Sequence, residues 1–311
     1  MNLHDSARLD TPAPARHTFA AVDMREKEKN LVYAQPRTLR EAVVALAGRE
    51  ALILAGGTDI FPAHAGKPLA RDIVDVSNLA ELRGIAEEPD RYRIGGATRW
   101  TDILREPLPP AFDCLKQAAR EVGSIQIQNR GTIAGNLCNA SPAADGIPPL
   151  LALDAEVELT SLDRVRRMPL AAFITGYRKT ALAKGEILSA VLVPKSFGEA
   201  RSSFVKLGSR RYLVISIVMV AAVVRRGEGG RIADARVAVG AASAVAQRLA
   251  ALESDLKDLT ADVLPSSVVA RRHIAGLSPI DDVRATAAYR GDAALRLVGD
   301  ALDHAAGVAG P

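Results

Sequence analysis

The sequence predicts a two-domain α+β protein. Its 311 residues exceed the usual length of a single domain. Segments typical of helices and strands alternate up to residue 194, and a polar, turn-rich stretch follows at 195–202 ("KSFGEARS"). Beyond this stretch the pattern changes to three strands followed by helices, which is typical of an α+β layer.

The first domain is predicted to begin with a helix, a strand and a glycine turn. Residues 38–48 ("TLREAVVALAG") carry apolar side chains at helical spacing, with Thr38 as the N-cap and Gly48 as the stop. The apolar run "ALIL" then ends at "AGGTD". Strands are predicted at 51–54, 72–79, 91–98 and 185–194, and helices at 101–104 and 111–123. The stretch 146–162 is predicted to pass from a short helix into an alternating strand.

The second domain is predicted to contain a three-stranded antiparallel sheet and helices. Its strands are expected at 202–208, 212–224 and 233–242, with a glycine-rich hairpin between the last two. Helical segments are expected at 244–256, 262–275 and 281–306.

Charge and cysteine content exclude several classes of protein. Lys and Arg exceed Asp and Glu by only four (40 − 36), and they are dispersed, so no nucleic-acid partner is predicted. Cys114 and Cys138 are too few for a disulfide framework or for an iron–sulfur cluster. The five His show no ligand spacing, so we predict no metal site.

The terminus and the hydropathy pattern indicate a cytoplasmic protein. Residues 1–26 form a polar, Pro-containing extension without the apolar segment of a signal peptide, and we expect it to be poorly ordered. The longest apolar run, 212–224, is shorter than the roughly 20 residues that span a bilayer. We therefore predict no membrane span.

The segment "ILAGGTDI" (53–60) is the first candidate binding motif. An apolar strand runs into Gly56 and Gly57, and paired glycines can turn their N–H groups to one side as a nest for phosphate. Thr58 adds a hydroxyl. The segment is neither a Walker A loop nor a Rossmann motif, and an ordinary turn is the alternative.

The segment "GTIAGNLCNASPAADG" (131–146) is the second candidate motif, and it is expected to be a loop. Thr132 and Asn136 offer hydrogen-bonding side chains, and Asp145 offers a carboxylate that suits a ribose or ribityl hydroxyl. Both glycine segments could face one diphosphate. The residues alone leave open whether they are instead two unrelated turns.

These two segments, in this order and spacing, resemble the FAD-binding subunit of the molybdenum hydroxylases, the xanthine dehydrogenase family. The resemblance extends over residues 31–306, with supporting stretches at 173–194, 204–222, 231–243 and 278–290. It implies a two-part FAD-binding domain of vanillyl-alcohol oxidase (PCMH) type at 27–198. A smaller CO dehydrogenase flavoprotein-like domain is then implied at 199–307.

The resemblance also implies the cofactor-binding residues. The first segment would wrap the diphosphate of a non-covalent FAD, the second would line the cofactor, Asp145 would anchor a hydroxyl, Lys206 would place a cation nearby, and Tyr177 would lie by the isoalloxazine ring. The implied residues are Ile53, Leu54, Ala55, Gly56, Gly57, Thr58, Asp59, Ile60, Thr132, Ile133, Ala134, Gly135, Asn136, Asp145, Tyr177, Leu188 and Lys206. No residue of this chain is predicted to be catalytic.

Two positions depart from the family pattern. Ala134 replaces the first of two paired glycines, and it would be strained if its φ were positive. Val122 stands where the animal xanthine dehydrogenases have an aromatic residue that stacks on the flavin nucleotide. We expect FAD binding to persist with changed contacts.

The function implied by the resemblance is electron transfer. A molybdopterin-binding subunit would hydroxylate the substrate, a [2Fe–2S] subunit would relay electrons, and FAD in this chain would pass them to NAD⁺, a quinone or oxygen. The expected assembly is a heterotrimer, doubled to a heterohexamer. A non-catalytic flavin-binding or assembly protein and a free-standing flavin oxidase of the same fold remain the alternatives.

Overall fold

The computed structural model describes residues 31–211 and 213–308. The first element group is a small parallel sheet of order β1-β3-β2, covered by helix α1. The Thr38 hydroxyl accepts a hydrogen bond from Glu41 N at 3.1 Å, as predicted for the N-cap of α1. The elements are β1 (Tyr33–Ala34), α1 (Leu39–Leu46), β2 (Ala51–Leu54), α2 (Ile60–Ala63) and β3 (Asp72–Asp75).

The second element group is a five-stranded antiparallel sheet of order β4-β5-β10-β6-β7. Its strands are β4 (Ile85–Glu87), β5 (Arg91–Gly95), β6 (Glu156–Thr160), β7 (Val165–Pro169) and β10 (Ile187–Pro194). Val157 and Leu159 are fully buried on the core face, as the alternation in β6 predicts. Strands β8 (Ile174–Gly176) and β9 (Lys179–Thr180) form a small hairpin, which lies between β7 and β10 in the sequence.

Short helices connect and cover this sheet. They are α3 (Trp100–Arg105), α4 (Asp113–Glu121), α5 (Ile125–Gln128), α6 (Ile133–Asn139), α7 (Ile147–Ala152) and α8 (Leu170–Phe173). Helix α6 was not predicted, because the glycine and asparagines of its sequence have low helix propensity. Burial of Ile133 and Leu137 stabilises it instead.

The C-terminal sheet has four antiparallel strands, so the predicted count of three is wrong. The strands are β11 (Arg201–Leu207), β12 (Val218–Arg226), β13 (Ile232–Gly240) and β14 (Gln247–Arg248). Residues 247–248 were expected to be helical, but they pair with Val239 and Ala238. Helix α9 (Ala250–Leu256) starts only after this short edge strand.

The two faces of the C-terminal sheet pack into different cores. Met219 and Ala221 join the core of the five-stranded sheet, whereas Val218 and Val220 pack with α9 and α11 (Ala287–Ala305). Helix α10 (Arg271–Ile274) precedes α11. The α+β class and the two-part architecture are confirmed. The domain bounds 27–198 and 199–307 stay predictions, and the extension 1–26 lies outside the described residues.

Within residues 31–211 and 213–308, every helix is too short or too polar to cross a membrane.

Candidate functional site

The two glycine segments lie against each other. A Cβ atom added to Gly56 would be only 2.1 Å from the carbonyl oxygen of Arg130, so glycine is required where the turn after β2 packs on the chain before Gly131. A Cβ on Gly131 would in turn lie 3.5 Å from the Thr58 hydroxyl. The structure therefore brings together the motifs that the sequence places about 80 residues apart.

Both segments line one cleft with a volume of about 400 Å³. Its walls include Trp100, Val122 and Ile127. The predicted residues among its lining are Ile53, Ala55, Gly56, Gly57, Thr58, Asp59, Ile60, Thr132, Gly135 and Asn136. Leu54 and Ile133 are buried behind this surface, where they fix β2 and α6.

A second, mainly apolar cavity of about 300 Å³ adjoins the first. Ala134 and Leu188 line it. The two cavities share five lining residues, which are Leu52, Ile53, Ala55, Gly135 and Cys138. The size and lining of the two spaces together are typical of a cofactor site.

The N-terminus of α6 has few donors to offer a ligand. Ile133 N donates to Thr98 O and Ala134 N to Gly96 O, each at 3.0 Å. Gly135 N donates to the Thr132 hydroxyl at 3.1 Å. These bonds satisfy the N–H groups that are usually free at a helix start.

The first glycine segment, in contrast, presents a run of free donors. The backbone N–H groups from Gly56 to Ile60 donate to no acceptor among the described residues. Gly57 has φ +71°, which turns the chain as only glycine does easily. We call these N–H groups the amide cradle. Successive N–H groups of this kind form an anion-binding concavity.

Asn136 carries a second unsatisfied group. Its side-chain oxygen Oδ1 is buried and accepts no hydrogen bond from any described residue. A buried polar atom without a partner is costly, and a ligand hydroxyl or N–H would satisfy it. The cradle and this oxygen fit a diphosphate dinucleotide, with donors for the anion and an acceptor for a ligand donor.

Ala134 is not strained in this position. It belongs to α6, and it is not among the non-glycine residues with positive φ. Its Cβ would lie 3.2 Å from a Cβ added to Gly96, so this methyl group contributes to the wall of the apolar cavity.

Asp145 and Lys206 lie together but outside the lining of both cavities. The Lys206 ammonium donates to Asp145 Oδ2 at 2.8 Å and to Glu121 O at 3.1 Å. Ser216 donates to Asp145 Oδ1 at 2.6 Å. Burial raises the pKa of the Asp145 carboxyl, although Lys206 opposes this shift. The predicted FAD contacts of both residues stay predictions.

Tyr177 lies at the turn of the β8–β9 hairpin and is 63% exposed. The next residue, Arg178, donates from Nη1 to Asn139 Oδ1 at 2.7 Å and lies 3.5 Å from Asp59 Oδ2. The hairpin is thereby connected to the rim of the cleft. Whether Tyr177 contacts an isoalloxazine ring stays a prediction.

Several lining residues were missed by the sequence reasoning. Trp100, Ile127, Cys138 and Asn139 all line the cleft. Cys138 and Asn139 lie within the second glycine segment, but nothing in the sequence singles them out as ligand contacts. Trp100 and Ile127 lie outside both segments, and apolar residues of this kind are equally typical of a core. Burial raises the pKa of the Cys138 thiol to about 12, so it stays protonated at neutral pH.

Among the described residues, no group of three or more His, Cys, Asp or Glu side chains could hold a metal ion.

The fold and the amide cradle define a protein that binds a dinucleotide cofactor, and comparisons with known proteins identify its family. The FAD-binding domain of molybdopterin dehydrogenases matches residues 25–196, and the CO dehydrogenase flavoprotein C-terminal domain matches residues 203–305. The chain belongs to the FAD-binding medium subunits of the molybdenum hydroxylase family.

Individual relatives support this assignment. The putative xanthine dehydrogenase FAD-binding subunit of Escherichia coli K12 is 33% identical over 263 residues, which cover 83% of this chain and 90% of the relative. The carbon monoxide dehydrogenase medium chain of Hydrogenophaga pseudoflava is 29% identical over 281 residues, 88% of this chain and 96% of the relative.

A solved structure of carbon monoxide dehydrogenase from Hydrogenophaga pseudoflava superposes with a TM-score of 0.79 at 28% identity, covering 90% of this chain and 98% of that chain. The resemblance predicted from the sequence is confirmed. The chain is a subunit of an oxidoreductase with an FAD-binding domain.

Proposed function

We propose that this chain is the electron-transfer subunit of a multi-subunit molybdenum hydroxylase. The observation that carries the proposal is the amide cradle, a run of N–H groups from Gly56 to Ile60 without partners among the described residues and on the wall of a cleft of about 400 Å³. Bound FAD supplies the redox chemistry, and the protein positions it.

The cradle would hold the diphosphate, with the Thr58 hydroxyl as a further donor. The apolar walls of the two adjoining cavities would cover the ring systems. Trp100, Val122 and Ile127 form one wall, and Ala134 and Leu188 belong to the other. Val122 would contribute an apolar contact to this wall in place of aromatic stacking.

Asp145 and Lys206 are proposed to contact the cofactor outside the two cavities. A cofactor hydroxyl that reaches Asp145 must compete with the bonds from Ser216 and Lys206. Lys206 would contribute a positive charge near the ring, and Tyr177 on the exposed hairpin would cover one face. These roles require the cofactor to extend beyond the lining of both cavities.

The electrons are proposed to come from [2Fe–2S] clusters in a partner subunit, downstream of a molybdopterin-binding subunit. The acceptor would be NAD⁺, a quinone or oxygen, and the assembly a doubled heterotrimer. The names of two relatives, an FAD-binding subunit and a medium chain, support an assembly of several subunits. Two cysteines in the whole chain are too few for a cluster, which fits a division of cofactors among subunits.

Flavin titration of the full chain tests the binding step. Trp100 is the single tryptophan and lines the cleft, so FAD bound there should quench its fluorescence saturably at one FAD per chain. Absence of saturable binding contradicts the proposal.

Co-purification tests the electron-transfer step. We expect two partner chains, one large and one rich in cysteine, and a flavin that NADH reduces in the isolated chain but small organic substrates do not. A chain that oxidises an organic substrate without partners would instead be a free-standing oxidase.

A further inference from the structure

We infer that Arg178, Asn139 and Asp59 form a clasp that holds the Asp59 carboxylate away from the bound diphosphate. Arg178 acts in it as a positioning residue of the flavin site. The inference rests on the proposed placement of the diphosphate at the amide cradle. It assigns a role to Arg178 and Asn139, for which the family pattern gives none.

The clasp resolves an electrostatic conflict within the cradle itself. Asp59 N belongs to the amide cradle, but the side chain of the same residue is a carboxylate, and Asp59 lines the cleft. A free carboxylate beside a diphosphate would repel it, and this repulsion acts over several ångströms. The side chain therefore needs a partner that turns it aside and balances its charge.

Arg178 and Asn139 provide this partner. The Arg178 Nη1 atom lies 3.5 Å from Asp59 Oδ2 and donates to Asn139 Oδ1 at 2.7 Å. Asn139 then donates from Nδ2 to Asp59 Oδ1 at 3.3 Å. Only one orientation of the Asn139 amide satisfies both neighbours, because its oxygen must face the guanidinium and its nitrogen the carboxylate.

The backbone also holds Arg178 in place. Its N–H donates at 3.0 Å to the carbonyl oxygen of Ala140, the C-cap residue of α6. Arg178 has φ +49° and Ala140 has φ +45°, so both backbone segments turn sharply where they meet. The clasp thus connects the cradle, the end of α6 and the hairpin that carries Tyr177.

The pair is half exposed, with side-chain exposures of 48% for Arg178 and 53% for Asp59. Such a pair contributes little to stability. Its effect should instead appear in FAD affinity, because the negative charge of the bound diphosphate is repelled by the Asp59 carboxylate.

A double-mutant cycle on the full chain, with FAD as the titrant, tests the clasp. We expect Arg178→Ala to weaken FAD binding about threefold to fivefold at low salt, and added salt to reduce this loss by screening. Arg178→Lys retains the charge and should recover part of the affinity. Asp59→Asn removes the repulsion, so Asp59→Asn/Arg178→Ala should bind FAD as tightly as Asp59→Asn alone.

Arg271→Ala is the matched control. Arg271 is an exposed arginine paired with Asp292 at 2.8 Å, and this pair lies outside the lining of both cavities. Its loss should leave FAD affinity unchanged.

Three results would overturn the clasp. The first is that Arg178→Ala binds FAD as tightly as the wild type. The second is that the loss of FAD affinity caused by Arg178→Ala persists unchanged in the Asp59→Asn background, which would indicate a direct contact between Arg178 and FAD. The loss could also be independent of salt. If the wild-type chain itself fails to bind FAD, the proposed function is wrong and the clasp is rejected with it.

Discussion

Replacing Lys206 by methionine is predicted to destabilise the protein, because Asp145 would remain as a buried carboxylate without its cation. The side chains of Lys206 and Asp145 are 5% and 9% exposed and lie 2.8 Å apart. Removing one partner of a buried ion pair costs about 3–5 kcal/mol. Ser216 still donates to Asp145, so we expect the free energy of unfolding to fall by about 3 kcal/mol at pH 7.

The loss should depend on pH. Burial raises the pKa of Asp145 above its ordinary value of 3.8, so the folded state binds a proton more readily than the unfolded chain. The resulting stabilisation is present below the unfolded pKa and is lost as pH rises through the folded pKa. Without Lys206 the folded pKa rises further, and the deficit of Lys206→Met should be smaller at pH 5 than at pH 7.

Urea unfolding followed by the fluorescence of buried Trp100 measures both effects. Asp145→Asn/Lys206→Met removes both charges and should recover part of the loss. Lys195→Met is the control. Lys195 pairs with the exposed Glu87, and its removal should cost less than about 1 kcal/mol. A loss for Lys206→Met below about 1 kcal/mol, equal at both pH values, would refute the reasoning.

Three further predictions concern other parts of the site and its scaffold. Ala134→Gly should lower the stability of the protein by about 1 kcal/mol in a thermal melt, because glycine disfavours helix α6; an unchanged melting temperature would contradict this. Glu186→Gln should cost about 2 kcal/mol at pH 7, since Glu186 is 3% exposed and accepts two bonds of 2.7 Å from Arg166. Arg166 lowers the pKa of Glu186, so the stabilisation is present above the ordinary pKa and is lost as pH falls through the folded pKa; the variant and the wild type should converge in acid. Finally, Cys114 is fully buried and its burial raises the pKa of its thiol to about 12, so this thiol should not react with a thiol reagent at pH 8 until urea unfolds the chain.

Local patterns in the sequence predicted some elements well. Helix α1 ends where Gly48 indicates a stop, and Thr38 caps it as expected. Strand β6 buries Val157 and Leu159 as its alternation predicts. In these elements the residue pattern and the tertiary packing favour the same structure.

Other elements were decided by contacts that no local pattern shows. The short strand β14 forms because the chain returns to the edge of β13 at Ala238, whereas its own sequence reads as helical. Helix α6 forms in spite of Gly135 and Asn136, because its apolar side enters the core. The first residue of the predicted strand 212–224 lies outside the described residues. Strand β12 starts at Val218, which pairs with Leu207, the last residue of β11.

The candidate site was predicted in part. The family resemblance implies that the two glycine segments belong to one site, but neither it nor the residues show which N–H groups remain free. The backbone N–H of Ile133, at the start of α6, donates to the carbonyl oxygen of Thr98. The backbone N–H groups from Gly56 to Ile60, in contrast, have no acceptor among the described residues. The ion pair of Asp145 with Lys206 joins residues 61 positions apart, one directly before α7 and the other on β11, so it depends on tertiary packing that no local pattern shows.

Hydrogen exchange of the full chain with and without FAD tests the central claim, that the amide cradle holds the cofactor. The N–H groups from Gly56 to Ile60 should exchange fast without FAD and become protected when it binds. Those of Ile133, Ala134 and Gly135 should change little, since they already have acceptors. Protection that appears at the start of α6 but not at the cradle would contradict the account.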